Sequence, residues 1–215
     1  ASTESGQYKT DVHFYIAEQY EKVFARTPLD PRPRFFYAMY LGRIGFFADA
    51  VKQMEKVVAL SPNKQSFLTY YAALLNQTGN ITKSLEVSKK AYELELNNTE
   101  AKFTYAAALI TNNRAGEAEK FMTADHAVDY LMNNAIISAY VDSKQTSRII
   151  SLIEKQLIVT PSILDLRSVL ASIYIRTGNV SAGLKELETM KALAPQYAEN
   201  INKIIEQVKK DNKIK

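Results

Sequence analysis

Small and large apolar residues return along this chain at a fixed step. Ala38, Ala72 and Ala106 are 34 residues apart, the small residue reappears at Ala171, and Ile137 fills the corresponding slot between them. A large apolar or aromatic residue follows three positions later each time, at Leu41, Leu75, Leu109, Tyr140 and Tyr174. The turn-formers keep the same step. Gly45 and Gly79 are 34 apart, as are Pro28 and Pro62, and Pro161 and Pro195, with Gly178 in a matching context. A period of this length is the signature of stacked supersecondary units. The predicted unit is a helix closed by a left-handed Gly, which satisfies terminal carbonyls, followed by a second helix whose continuation Pro disfavours.

The ends of the array read differently. Ile201, Ile204, Ile205 and Val208 form one apolar stripe, while Glu199, Asn202, Lys203, Glu206, Lys209 and Lys210 cover the rest, the pattern of a terminal helix that sheds apolar surface. Val12, Phe14, Tyr15, Ile16, Tyr20, Val23 and Phe24 occupy more than one side of the first helix. That end is expected to dock on another domain, a membrane portion or a second copy, unless residues 1 to 10 wrap it.

Composition narrows the class. In 215 residues there are only 7 Gly and 6 Pro, too few turn-formers for a sandwich or barrel of this size. The absence of Cys excludes disulfides, Cys-ligated zinc, iron–sulfur clusters and thiol nucleophiles, and leaves the redox compartment open. A net charge of +4 does not by itself point to nucleic acid. No apolar run approaches the ~20 residues needed to cross a bilayer. The opening Ala1-Ser2-Thr3-Glu4-Ser5-Gly6 suits an expression remnant, a matured end or the edge of an excised domain.

The spacing of small, aromatic and Pro residues resembles the tetratricopeptide repeat (TPR) over nearly the whole chain. The resemblance implies an all-α, right-handed α-solenoid of TPR helix-turn-helix repeats. Residues 1–10 are expected to be disordered or expression-derived. One solenoid is expected over 11–215: a half repeat at 11–30, full repeats at 31–64, 65–98, 99–129, 130–163 and 164–197, and a capping helix at 198–212. Small side chains at Ala38 and Ala50, or Ala106 and Ala118, let paired helices approach closely. Leu96 stands where a Pro is expected, and Asn113 and Lys144 where the turn Gly is expected. The third repeat is three residues short around Thr123–Ala127, nearly a helical turn at ~3.6 residues per turn. A local break is expected there. Ile137 and Ile149 fill both small positions of the fourth repeat, whose helices should stand further apart.

The same resemblance implies that ligand contacts come from repeat positions 2, 5, 9 and 12 on a concave groove. These are Arg32, Phe35, Met39 and Gly42; Ser66, Thr69, Ala73 and Asn76; Glu100, Phe103, Ala107 and Ile110; Leu131, Asn134, Ser138 and Val141; and Asp165, Ser168, Ser172 and Ile175. Of these, Arg32, Phe35, Met39, Ser66, Thr69, Asn76, Phe103, Ile110, Asn134, Ser138, Ser168 and Ser172 are the candidate peptide-binding residues. They lack the Lys and Asn ring with which related domains grip acidic chaperone tails. They also lack the basic and amide register of helical-repeat RNA readers. The expected partner is a protein or peptide bound by apolar burial, with no nucleic acid and no small-molecule cofactor.

Enzymatic parts are missing from the sequence. His13 and His126 are isolated, Asp125, His126 and Asp129 are too sparse for a metal site, and no phosphate loop or nucleophile elbow occurs. The Asp30-Pro31-Arg32-Pro33-Arg34 segment brings two guanidinium groups to the first full repeat, beside Phe35 and Phe36. The run Pro31–Gly45, with Leu60–Gln65, is similar to the C-terminal TPR domains of bacterial O-antigen ligase-like membrane proteins. That narrower resemblance implies an accessory domain on the extracytoplasmic face of a bacterial membrane, its glycan chemistry elsewhere in the polypeptide. The alternatives are thus a non-catalytic interaction scaffold, cytoplasmic if the narrower resemblance does not hold, this accessory domain, and an RNA-binding helical repeat.

Overall fold

The structure is a computed structural model that describes the backbone of residues 2–123 and 126–214, with side chains from residue 12 onward. The chain divides into two compact units, 1–108 and 109–215. Each is an all-helical repeat array, and no strand occurs among the described residues.

Unit 1 holds α1 (Ser2–Arg26), α2 (Pro31–Arg43), α3 (Phe47–Leu60), α4 (Gln65–Gln77), α5 (Ile81–Leu94) and the larger part of α6 (Thr99–Thr111). The start of α2 is set by Asp30, whose side chain accepts from the Arg32 amide at 3.0 Å, and by Pro31 at the first helical position. α2 packs closely on α3 and α4 on α5, because the facing residues are small. Ala38, Ala50 and Ala72 are fully buried, and Ser84, at 1% exposure, donates its hydroxyl to the Ala72 carbonyl at 2.8 Å. A larger side chain at any of them would wedge the pair open. Around this contact Phe24, Tyr37, Leu41, Met54, Val57 and Tyr71 complete the core.

Each hairpin reverses through one left-handed residue. Gly45, Gly79 and Gly178 have φ of 86°, 77° and 87°, and Asn113 and Lys144 adopt φ of 60° and 59° in the equivalent places. The next amide then reaches back to a terminal carbonyl: Phe46 to Leu41 (2.9 Å), Asn80 to Leu75 (2.8 Å), Arg114 to Leu109 (2.8 Å), Gln145 to Tyr140 (2.8 Å) and Asn179 to Tyr174 (2.9 Å). Five turns share one hydrogen bond, so the departures at Asn113 and Lys144 are changes of residue and not of geometry.

Unit 2 continues with α7 (Ala115–Ala118), α8 (Ala127–Met132), α9 (Asn134–Asp142), α10 (Thr146–Val159), α11 (Leu164–Arg176), α12 (Val180–Leu193) and α13 (Ala198–Asp211). The missing turn has a clear consequence. The second helix of the third repeat is reduced to α7 and a 3-10 turn at Glu119–Phe121. The first helix of the fourth begins at Asn134, where Asn133 caps it by accepting from the Ala135 and Ile136 amides. The expected start at residue 130 is therefore displaced, and Tyr130 and Leu131 belong to the separate helix α8, fully buried. Asp125 lies outside the described residues. α9 and α10 approach each other far less closely than α11 and α12, as bulky Ile137 and Ile149 require. By contrast, a Cβ on Gly183 would sit 2.5 Å from the Ile175 side chain, so α11 and α12 touch almost backbone to side chain.

Both ends differ in part from the sequence reading. α1 begins at Ser2, so residues 2 to 10, expected to lie outside the fold or to wrap it, continue the helix instead. Residue 1 lies outside the described residues. On α13, Ile201 and Ile205 are buried, but Ile204 is half exposed.

A carboxylate clamp ties successive repeats in each unit. Glu55 accepts from the Tyr71 hydroxyl (3.2 Å) and Lys83 (2.9 Å); Glu119 accepts from the Tyr140 hydroxyl (2.8 Å) and the Arg148 guanidinium (2.9 Å). Burial pulls the Glu119 carboxyl upward, but the bonds from Arg148 and Tyr140 outweigh it and hold the group below its ordinary value. A lowered folded value means stability that is present above about pH 4.3, the unfolded value, and lost as pH falls through the folded one.

Two measurements follow from this packing. Lys144→Gly, which removes a side chain from a left-handed position, should raise stability by about 0.5–1 kcal/mol in denaturant unfolding; no change would place the strain elsewhere. Glu119→Gln should cost about 1 kcal/mol at pH 7 and flatten the acid limb of stability below the ordinary carboxylate range, a flattening that melting curves from pH 3 to 7 would register.

Candidate ligand-binding face

In unit 1 the candidate positions of α2 and α4 fall into three environments. Arg32 is exposed, but its guanidinium is held by Asp30 through three bonds of 2.7 to 3.1 Å. This pair lowers the Asp30 carboxyl and raises the Arg32 guanidinium by direct hydrogen bonding. Phe35 is half-buried, tilted on Phe67 at 4.7 Å and edge-on to Tyr70 at 5.7 Å between ring centres. Thr69 is buried and spends its hydroxyl on the Gln65 carbonyl. Ser66 is exposed and Asn76 half-buried.

Met39, 43% exposed, belongs to a different environment. Together with Gly42, Arg43, Phe47, Tyr70, Ala73, Leu74 and Gln77 it lines an open depression of about 410 Å³, with walls from α2, α3 and α4. Its floor depends on a missing side chain. A Cβ on Gly42 would lie 2.5 Å from the Tyr70 hydroxyl. Because there is none, Tyr70 lies down across α2 and donates to the Ala38 carbonyl at 3.3 Å. Burial pushes the Tyr70 phenol up, so it stays neutral near pH 7. The walls are apolar, and Arg43 is the only charged lining residue.

The third set of candidate positions does not form a surface. Phe103 (5% exposed), Ala107 and Ile110 (fully buried) are core residues, and only Glu100 of that set is exposed. Phe103 and Ile110, named from the repeat pattern as ligand contacts, are thus buried in this structure. In unit 2, Leu131 is buried in α8, while Asn134, Ser138, Ser168 and Ser172 are exposed on α9 and α11. Unit 2 thus presents hydroxyls and an amide where unit 1 presents an apolar hollow.

The sequence reading passed over Arg43, Phe47, Tyr70, Leu74 and Gln77, which lie outside positions 2, 5, 9 and 12. One signal was available: Gly42 precedes the turn Gly and sits inside a helix, where Gly costs roughly 0.5–1 kcal/mol relative to Ala and so implies a packing reason. His13, isolated in sequence, stacks on Phe46 at 4.8 Å and Tyr40 at 5.9 Å. Among the described residues no group of three or more metal-ligating side chains gathers, and no helix is long and apolar enough to cross a membrane.

No family model matches the sequence, and no curated protein matches it. Solved structures do. A tetratricopeptide repeat protein from Parabacteroides merdae superposes with a TM-score of 0.58 at 13% identity, covering 94% of this chain and 80% of its own. YrrB, described as a TPR protein with an unusual peptide-binding site, gives 0.50 at 11% identity, covering 83% and 94%. A thermophilic TPR protein of Thermus thermophilus gives 0.50 at 14% identity, covering 83% and 98%. The fold is therefore that of TPR helical repeats.

The two environments separate in stability. Phe103→Ala should cost about 3–5 kcal/mol, as removal of a buried ring does, whereas Met39→Ala should stay within about 0.5 kcal/mol. Chemical denaturation of both variants decides it; comparable losses would mean that Met39 is part of the core.

Proposed function

We propose that this protein is a protein- or peptide-binding scaffold, and that unit 1 holds an apolar side chain of its partner in the depression between α2 and α4. The observation that supports this reading is the hollow itself: an open, apolar concavity with exposed Met39 and Ala73 on its walls and a floor made by Tyr70 over Gly42. A cavity of a few hundred Å³ lined by apolar groups with a few polar ones at its edge suits a ligand anchored by burial. The exposed candidates Asn134, Ser138, Ser168 and Ser172 form a separate polar set on unit 2, to which this reading assigns no part in the hollow. No catalytic role is assigned to any residue.

A second reading is supported by α1. Phe14 and Tyr15 are about two-thirds exposed there, and Val12 beside them is 38% exposed, a local run of exposed apolar side chains of the kind that marks an interaction surface. This suits docking of the N-terminal helix on a further part of a larger polypeptide, as the O-antigen ligase-like resemblance implies, or on a second copy. The two readings use different surfaces.

For the hollow, Ala73→Leu keeps helix propensity and fills the space. Against an array of acetylated octapeptides that carry a single central Leu, it should weaken binding at least tenfold relative to the unaltered chain while melting within a few degrees of it. Undiminished binding by a folded variant would place the site elsewhere.

A further inference from the structure

Arg43 is exposed at the rim of the hollow, and among the described residues its side chain has no hydrogen-bond or ion-pair partner. Its neighbours explain why. The carbonyls that end α2 are already taken by backbone amides: Tyr40 by Ile44, Leu41 by Phe46, and Gly42 by Gly45. At the start of α3, Asp49 is engaged with Lys52 at 2.9 Å. Arg34 is committed as well, lying 4.2 Å over the Phe24 ring and bonding Gln53. A guanidinium with five donors in a fixed fork is thus left uncommitted beside an apolar cavity, with the Gln77 amide also in the lining.

Resting on the reading that the hollow takes an apolar side chain, we infer that its occupant is an acidic peptide segment, in which a large apolar residue enters between Met39, Tyr70 and Ala73 while a neighbouring carboxylate, from Asp, Glu or a chain terminus, forks onto Arg43. The argument is charge complementarity. The lining carries one cation and no anion, so a carboxylate there gains a charge-assisted, bidentate bond without displacing an existing pair. A basic segment would instead meet an unpaired like charge at the same rim. The position lies one residue beyond the groove positions named from the repeat pattern, so the acidic preference rests on Arg43 alone.

The test uses the full chain and two matched sets of acetylated octapeptides, each with a central Leu and either Glu or Gln two to four positions away, as free acids and as amides. The Glu set should bind about tenfold more tightly than the Gln set at low salt, Arg43→Gln should abolish that difference, and Arg43→Glu should transfer the preference to a Lys-bearing set. Equal binding of Glu and Gln peptides, with Arg43→Gln silent and Ala73→Leu still damaging, would overturn the acidic preference and leave the hollow as the site. Absence of binding by any set, or binding indifferent to Ala73→Leu, would overturn both. Arg43 is exposed and makes no side-chain bond among the described residues, so its variants should melt with the parent protein, and a matching melting curve separates lost binding from lost folding.

Discussion

Everything in this fold depends on how near two antiparallel helices can come. Where the facing residues are Ala38 and Ala50, Ala72 and Ser84, or Ala171 and Gly183, the backbones close until larger neighbours interdigitate around them. The one-residue left-handed turn makes that approach possible by reversing the chain within a single hydrogen-bonded ring. Neither device suffices alone, because a tight turn with bulky faces splays the pair. Repeat four shows this. Its turn at Lys144 is sound, but Ile137 and Ile149 hold α9 away from α10.

Stacking of one hairpin on the next uses a different chemistry. Glu55 and Glu119 each receive a tyrosine hydroxyl from the following first helix and a cation from the following second helix. Exposed ion pairs of this kind contribute little by Coulomb attraction. Their value is directional, since one carboxylate bonded from two helices fixes the rotation between hairpins that apolar contact leaves loose. Tyr71 and Tyr140 are themselves almost wholly buried, so each ring fills the core while its oxygen reaches the rim.

The periodic features of the sequence translated directly into structure because each expresses a local rule. A left-handed turn, a small contact residue and a polar outer face on α13 all follow from chemistry within one or two helical turns. What failed to translate is non-local. Phe103 and Ile110 occupy groove positions by count, but both are buried. Position along a repeat predicts the helix face and not what else covers that face. The start of α9 at Asn134 does have a local signal, since Asn133 is an N-cap residue type and accepts from the Ala135 and Ile136 amides.

The hollow in unit 1 shows how one residue can reshape the surface of a repeat. The position of Gly42 is occupied by Asn76, Ile110, Val141 and Ile175 in the other repeats. Each of those brings a side chain that would collide with a tyrosine lying across the helix as Tyr70 does. The glycine weakens α2 where Ala would strengthen it, and near its end a left-handed Gly45 already supplies the turn, so the reversal does not need it. What Gly42 provides is room: Tyr70 drops onto the Ala38 carbonyl, its ring becomes a floor, and Met39, Phe47, Ala73 and Leu74 are left standing as walls. A helix interior that gives up stability at one residue gains from it the close packing of Tyr70 on α2, and the open apolar cavity beside that ring is the consequence.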